Sequence, residues 1–99
     1  MSTDFTKGML VTIISEAVLQ ESFVRLLTEL GVSGYTIIPA QGAGSHGKRM
    51  GDVAGYNTNI LLQTIVNPEL ATRLLQNLKS LQETHALVAF QQPIEGIFD

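Results

Sequence analysis

The sequence predicts one α+β domain in which two helices cover one face of a four-stranded antiparallel sheet. Four short segments have the apolar, β-branched character of strands, and two longer segments repeat apolar residues at helical spacing. The order of these segments along the chain is βαββαβ. The length of 99 residues and the hydrophobic content of 44% suffice for one modest core. We therefore expect a single domain over residues 1–99.

The first half of the chain contains two strands and the first helix. Residues 9–14 are a nearly unbroken apolar run, typical of a strand buried on both faces. Ser15 offers an N-cap for a helix whose apolar residues recur until Gly31 ends it. Residues 35–38, followed by Pro39, predict a second strand that lies at the edge of the sheet or leaves it there.

The second half repeats this arrangement. Residues 59–66 predict a third strand with apolar side chains on both faces. Asn67 and Pro68 are typical of a helix start, since they supply an N-cap and a proline at the first helical position. Residues 86–90 predict the fourth strand, and residues 91–99 are expected to form a C-terminal tail.

The order βαββαβ is that of the ferredoxin-like fold. Two helices cover only one face of such a sheet, yet the first and third strands are apolar on both faces. The other face would expose a large hydrophobic patch in a monomer, and a closed homo-oligomer would bury it. The alternative is that Phe98 and the rest of the tail cover this face within one chain.

Residues 42–55 separate the second strand from the third, contain five of the nine glycines and show no apolar periodicity. This composition predicts a flexible loop. Closely spaced glycines allow backbone N–H groups to approach an anion, and two cations stand beside them. The hypothesis is an anion-binding loop without the Walker A spacing, and the alternative is an ordinary loop with solvated charges. The candidate ligand-binding residues in it are Gly42, Gly44, Ser45, His46, Lys48 and Arg49.

Several functional classes find no support in the sequence. Cysteine is absent, no nucleophile stands beside a base, and neither His46 nor His85 belongs to a local metal-binding pattern. The net charge is −3 and the basic residues are scattered, which argues against nucleic acid as a partner. No signal peptide or membrane-spanning run is present, so a cytoplasmic, non-catalytic protein without a metal site is expected.

Two segments resemble the PII signalling proteins, and in particular their divergent PII-like branch. Residues 34–38, Gly-Tyr-Thr-Ile-Ile, resemble the second strand, and residues 42–45, Gly-Ala-Gly-Ser, resemble the base of the T-loop. The resemblance implies a regulatory homotrimer that binds an adenine nucleotide in clefts between subunits and presents residues 42–55 to a partner. By position, Thr36 matches a threonine near the base, and Gly42 and Gly44 match glycines that line the phosphate side.

The chain also departs from the PII pattern. Ser45 stands where those proteins commonly carry arginine, His46 stands where they carry glutamine, and residues 82–85 replace a glycine-rich B-loop. The ligand implied is therefore AMP, ADP, ATP, cyclic AMP or bicarbonate rather than a conventional Mg-ATP and 2-oxoglutarate pair, with Lys48 and Arg49 folded back on the anion. The implied partner is an unidentified transporter or enzyme. If it is a membrane transporter, the protein would associate with it peripherally.

Three other readings share the fold. A CutA-like metal-tolerance trimer would bind copper or zinc through His46 or His85. An acylphosphatase-like enzyme would need an anion-binding arginine loop after the first strand, where this chain has Ser-Glu-Ala at residues 15–17. An ACT-like sensor would respond to amino acids. Fold alone does not choose among them.

Overall fold

The computed structural model describes residues 4–42 and 59–99 and confirms the predicted α+β, ferredoxin-like arrangement. A short 3₁₀ turn, Ala17–Leu19, precedes the first helix. The strands and helices are β1 (Thr6–Glu16), α1 (Gln20–Glu29), β2 (Thr36–Ala40), β3 (Asn59–Val66), α2 (Pro68–Gln82) and β4 (Leu87–Gly96). Within these two ranges, no helix is long and apolar enough to cross a membrane.

The four strands form one antiparallel sheet in the order β2-β3-β1-β4. β1 and β3 occupy the centre, as their apolar character on both faces predicted. β2 is an edge strand, which is where Pro39 is tolerated, because the proline lacks a ladder N–H.

The core lies between one face of the sheet and the two helices. Val11 and Ile13 of β1 lie opposite Thr64 and Leu62 of β3, and all four side chains are buried. Phe23 and Leu27 of α1 and Ala71, Leu74 and Leu78 of α2 complete the same cluster. The leucine repeats that predicted two amphipathic helices are therefore the repeats that fill this core.

The other side of the sheet faces away from the helices, and we call it the open face. It carries Thr12, Leu61, Gln63 and Phe90, since these alternate along the strands with the core residues. Four large apolar side chains on this face remain substantially exposed: Ile38 at 49%, Ile65 at 42%, Val88 at 55% and Phe90 at 43%. The ring of Phe98 lies over Gly8 at one end of the face. The C-terminal residues thus cover only part of the apolar surface within one chain.

The start of α2 and the end of α1 lie at the capping residues that the sequence indicated. The side chain of Asn67 accepts a hydrogen bond from the backbone N–H of Leu70 at 2.8 Å, so it caps α2 as predicted. Gly31 has φ +82° and ends α1. The N–H of Val32 donates to the carbonyl of Leu27, and the N–H of Gly31 donates to the carbonyl of Thr28, which is the Schellman pattern.

Two sequence-based boundaries are wrong. Ser15 does not cap α1, because it is still inside β1, fully buried and placed between Ile60 and Leu87 of the neighbouring strands. β4 does not end at Phe90, because its pairing with β1 continues to Gly96. Residues 91–96 of the expected tail are therefore part of the sheet.

Candidate functional site

An open cleft of about 330 Å³ lies where β2 begins. Residues 33–36 line it together with Leu10, Gln63 and Ile65 of the open face and with Phe98, which follows β4. Thr64 and Asp99 complete the lining. The volume is at the lower end of the range of about 300–1,000 Å³ that is usual for small-molecule sites.

The strand register brings these residues together. Thr36 is directly opposite Gln63, and Leu10 of β1 is directly opposite Ile65, two residues further along β3. Directly opposite residues of antiparallel strands point to the same face, so all four side chains belong to the open face. Three strands and the segment after β4 therefore build one site.

A buried hydrogen bond fixes the segment that leads into β2. The hydroxyl of Thr64 donates to the backbone carbonyl of Gly34 at 2.6 Å, and Thr64 is only 3% exposed. The bond crosses from the centre of the sheet to the residues that line the cleft. It holds the start of β2 against β3 at the position of Thr36.

The lining combines apolar surface with a few polar groups. Leu10, Ile65 and Phe98 offer aliphatic and aromatic surface, while Thr36 and Gln63 offer a hydroxyl and an amide. The amide of Gln63 donates through Nε2 to the Thr12 hydroxyl at 3.1 Å, and it also carries an acceptor oxygen and a second N–H. Apolar walls with a few polar groups suit a flat ligand that has a hydrogen-bonding edge.

A second cleft, of about 490 Å³, lies beside the start of α2. It is larger, but its lining is mostly apolar and includes Met9, Pro68 and Pro93, with Lys7 and Glu95 as its charged residues. Lys7 and Glu95 are opposite each other in the β1–β4 pair, so each charge has the other as a neighbour. The cleft at Thr36 has the better combination of groups for a polar ligand.

The sequence-predicted site residues are only partly placed. Thr36 lines the cleft, whereas Gly42 lies beyond the other end of β2, with nothing within 4 Å of the position that a Cβ would take. One chain therefore does not bring these two residues into the same cleft. The remaining five, which are Gly44, Ser45, His46, Lys48 and Arg49, lie outside the described residues and stay predictions.

Sequence reasoning missed most of the cleft. Gln63 carried a signal, because it interrupts the apolar face of β3 between Leu61 and Ile65. Leu10 and Phe98 carried none, since an apolar residue in a strand or in a tail is explained by packing alone. Their role depends on pairings between segments that are far apart in the sequence.

The connection between α2 and β4 is a short turn. The N–H groups of Thr84 and His85 both donate to the carbonyl of Leu81, and the side chain of Gln82 donates to the carbonyl of Leu87. The chain therefore passes directly from helix to strand, as expected from residues 82–85. In the described ranges, no group of three or more histidine, aspartate or glutamate residues is arranged to hold a metal ion.

Comparisons with known proteins place these features in context. The family model of the nitrogen regulatory protein P-II matches residues 9–97. Comparison with curated proteins finds no match. The structure of a candidate PII-like signalling protein from Thermus thermophilus is 35% identical, with a TM-score of 0.78, and the match covers 96% of this chain and 94% of that one.

Two further solved structures are similar to this chain. CPII from Thiomonas intermedia K12, described as a nitrogen regulatory PII-like protein bound to ADP, AMP and bicarbonate, is 30% identical with a TM-score of 0.83. That match covers 96% of this chain and 92% of CPII. A DUF3240 family protein from Shewanella baltica is 20% identical over the full length of both chains, with a TM-score of 0.69, and shows the shared fold alone.

Proposed function

Because the chain belongs to the nitrogen regulatory protein P-II family, we propose that it is a ligand-sensing regulator whose effector is an adenine nucleotide bound in the cleft at Thr36. The observation that carries this proposal is the lining of the cleft. Apolar and aromatic surface from Leu10, Ile65 and Phe98 adjoins the polar groups of Thr36 and Gln63. A purine base needs apolar contact on its faces and hydrogen bonds at its edge.

The ligands bound to CPII support this ligand class. CPII is 30% identical to this chain and is described as bound to ADP, AMP and bicarbonate. In the proposed pose the nucleotide lies between two subunits, with its base at Thr36 of one and its phosphates toward Gly42 of the neighbour, because one chain does not bring these two residues into the same cleft. The phosphates, or a bicarbonate ion, would then contact the predicted anion-binding residues Gly42, Gly44, Ser45, His46, Lys48 and Arg49.

The open face supports a homotrimer as the working form. Ile38, Ile65, Val88 and Phe90 remain 42% to 55% exposed in a single chain, and Phe98 covers only one end of the face. A closed assembly would bury this surface without leaving an open end that recruits more copies. The proposed trimer acts in the cytoplasm on an enzyme or a transporter, including one held at a membrane.

The test is a binding panel with ATP, ADP, AMP, cyclic AMP, bicarbonate, amino acids, Zn²⁺ and Cu²⁺, read by thermal unfolding and titration calorimetry, with the mass measured by light scattering. A nucleotide at about 100 times its Kd should add about 2.7 kcal/mol to the free energy of unfolding. We expect a trimeric mass and a response to at least one adenine nucleotide. A response to amino acids or metal ions alone would overturn the nucleotide proposal in favour of an ACT-like or a CutA-like role.

A matched pair of variants tests whether the nucleotide binds in the cleft. Thr36→Val removes the hydroxyl that lines the cleft, whereas Thr84→Val makes the same change in the exposed turn after α2. We expect Thr36→Val to weaken nucleotide binding and Thr84→Val to leave it unchanged. Equal affinities for both variants would argue that the ligand lies elsewhere.

A further inference from the structure

We propose that Phe98 is the aromatic surface on which the base of the bound nucleotide stacks, so that the segment after β4 sets the preference for ligands that contain a base. This inference rests on the proposed function, because it names a specificity-determining residue of the same cleft. It adds a contribution from the segment after β4 to a cleft otherwise lined by residues 33–36 and by residues of β1 and β3.

The sheet provides a place for the Phe98 ring. An added Cβ at Gly8 would lie 3.2 Å from both Cε1 and Cζ of Phe98 and 3.0 Å from Cγ2 of Ile65. An added Cβ at Gly96 would lie 3.7 Å from Cε2 of the same ring. A Cβ at Gly8 would therefore require the ring or Ile65 to shift by a few tenths of an ångström, so the absence of a side chain at this point of β1 leaves room for the ring to lie against the sheet.

The ring also has surface available to a ligand. Phe98 is only partly buried, although atoms on both of its edges lie close to the space that a Cβ at Gly8 or Gly96 would take. It lines the same cleft as Thr36 and Gln63. The ring is thus held by the sheet on one side and adjoins the polar groups that would bind the edge of a base.

Stacking explains why an aromatic residue would be useful here. Every base has a π-face, and alanine substitution of a stacking aromatic side chain typically weakens binding by about 5- to 150-fold. Leu10 and Ile65 supply aliphatic surface in the same cleft, but their contact would not depend on an aromatic ligand. Tyr35 and Phe98 are the aromatic residues of the lining, and Phe98 is the one whose ring lies against the open face at Gly8. We therefore assign the preference for a planar ring to Phe98.

The first experiment compares Phe98→Ala with two controls by titration calorimetry. Phe5→Ala removes an exposed phenylalanine that does not line the cleft, and Ile97→Ala alters the exposed neighbour of Phe98. Phe98→Ala should weaken ADP binding at least about fivefold, whereas binding of pyrophosphate, which lacks a base, should not change. Both controls should bind ADP as the unaltered protein does. A merely structural role for Phe98 would weaken ADP and pyrophosphate equally, and that result would overturn the proposal.

A second experiment does not depend on the loss of binding. The chain contains no tryptophan, so Phe98→Trp introduces a single tryptophan at the proposed stacking position, and its emission can be excited selectively over that of the two tyrosines. ADP should change the emission of Phe98→Trp and pyrophosphate should not, while Phe5→Trp should respond to neither. Tryptophan keeps an aromatic face, so Phe98→Trp should also retain ADP affinity.

The Gly8→Ala variant tests the position of the ring. The added methyl group displaces Phe98 or Ile65, so ADP binding should weaken in the native background and weaken less when Phe98 is already alanine.

If the unaltered protein binds no adenine nucleotide, the proposed function itself fails. If the unaltered protein binds ADP, but Phe98→Ala binds ADP equally well and the emission of Phe98→Trp does not change with ADP, only the stacking role of Phe98 is wrong.

Discussion

Thr64 connects the buried side of the sheet to the cleft through a single hydrogen bond. Its side chain is almost fully buried on the helix-facing side of β3, and its hydroxyl donates to the carbonyl of Gly34 at 2.6 Å. Gly34 is exposed and lies two residues before Thr36. The position of the cleft lining therefore depends on a residue that belongs to the core.

We expect Thr64→Val to lower the free energy of unfolding by about 1 kcal/mol, because the shape is kept and one hydrogen bond is lost. The exposure of Gly34 limits the cost, since water can replace the donor. Thr28→Val is the matched control, because its hydroxyl bonds the carbonyl of Val24 on an exposed helix surface. The control should change stability by less than about 0.5 kcal/mol. Urea denaturation of both variants checks this, and equal losses would contradict it.

Gly31 gives a second prediction at the scale of one residue. Its φ of +82° is unfavourable for any residue with a Cβ, so Gly31→Ala should cost about 1 kcal/mol of stability. Gly34→Ala is the control, because a Cβ at Gly34 would meet no atom within 4 Å and Gly34 does not have a positive φ. Thermal unfolding should separate the two variants by several degrees. A Gly34→Ala variant as unstable as Gly31→Ala would show that backbone conformation is not the cause.

The start of α2 shows how one capping residue acts on a whole element. Asn67→Ala removes the acceptor for the N–H of Leu70 and should cost about 1 kcal/mol, whereas Asn67→Asp should restore most of it. Asn77→Ala is the control inside the same helix, where alanine has the higher helix propensity and stability should be kept or raised. Chemical denaturation measures all three. No loss in Asn67→Ala would mean that packing alone sets the start of the helix.

Strands were predictable where apolar residues continue and unpredictable where they stop. Residues 59–66 match β3 at both ends, because an apolar run coincides with the pairing. β4 continues past Phe90 through Gln91 and Gln92, which were expected to belong to the tail. These residues are strand because β1 offers partners as far back as Thr6, and that partnership is set by segments about 80 residues apart. Ser15 was misassigned for the same reason: its partners, Ile60 and Leu87, belong to strands that are distant in the sequence.

The candidate site was less predictable than the fold. Thr36 was named from the resemblance; it lines a cleft, and its role in binding stays a prediction. Leu10 and Phe98 reach that cleft only because β1, β3 and the end of β4 meet there. Local sequence identifies residues with unusual chemistry, such as a glycine-rich segment with two cations. It does not identify ordinary apolar residues that a particular register gathers into one wall.

At the scale of the whole molecule, the exposed part of the open face predicts dependence on assembly. Phe90→Asp places a charge among apolar side chains on this face, so it should dissociate the proposed trimer into smaller species. Val18→Asp is the control, because Val18 is 78% exposed and lies outside the sheet. Light scattering after size exclusion measures the mass. A trimer that survives Phe90→Asp would place the subunit contacts elsewhere.

The pairing of Thr6 with Gly96 also matters for anyone who fuses this domain to another protein. Both ends of the domain leave the sheet at neighbouring positions, and Phe98 lies over Gly8 close to that point. A fluorescent protein joined at either end would therefore start near the cleft at Thr36. In the proposed trimer, donor and acceptor fluorophores on different subunits would report on the subunit arrangement, but their linkers would need enough length to keep the cleft accessible.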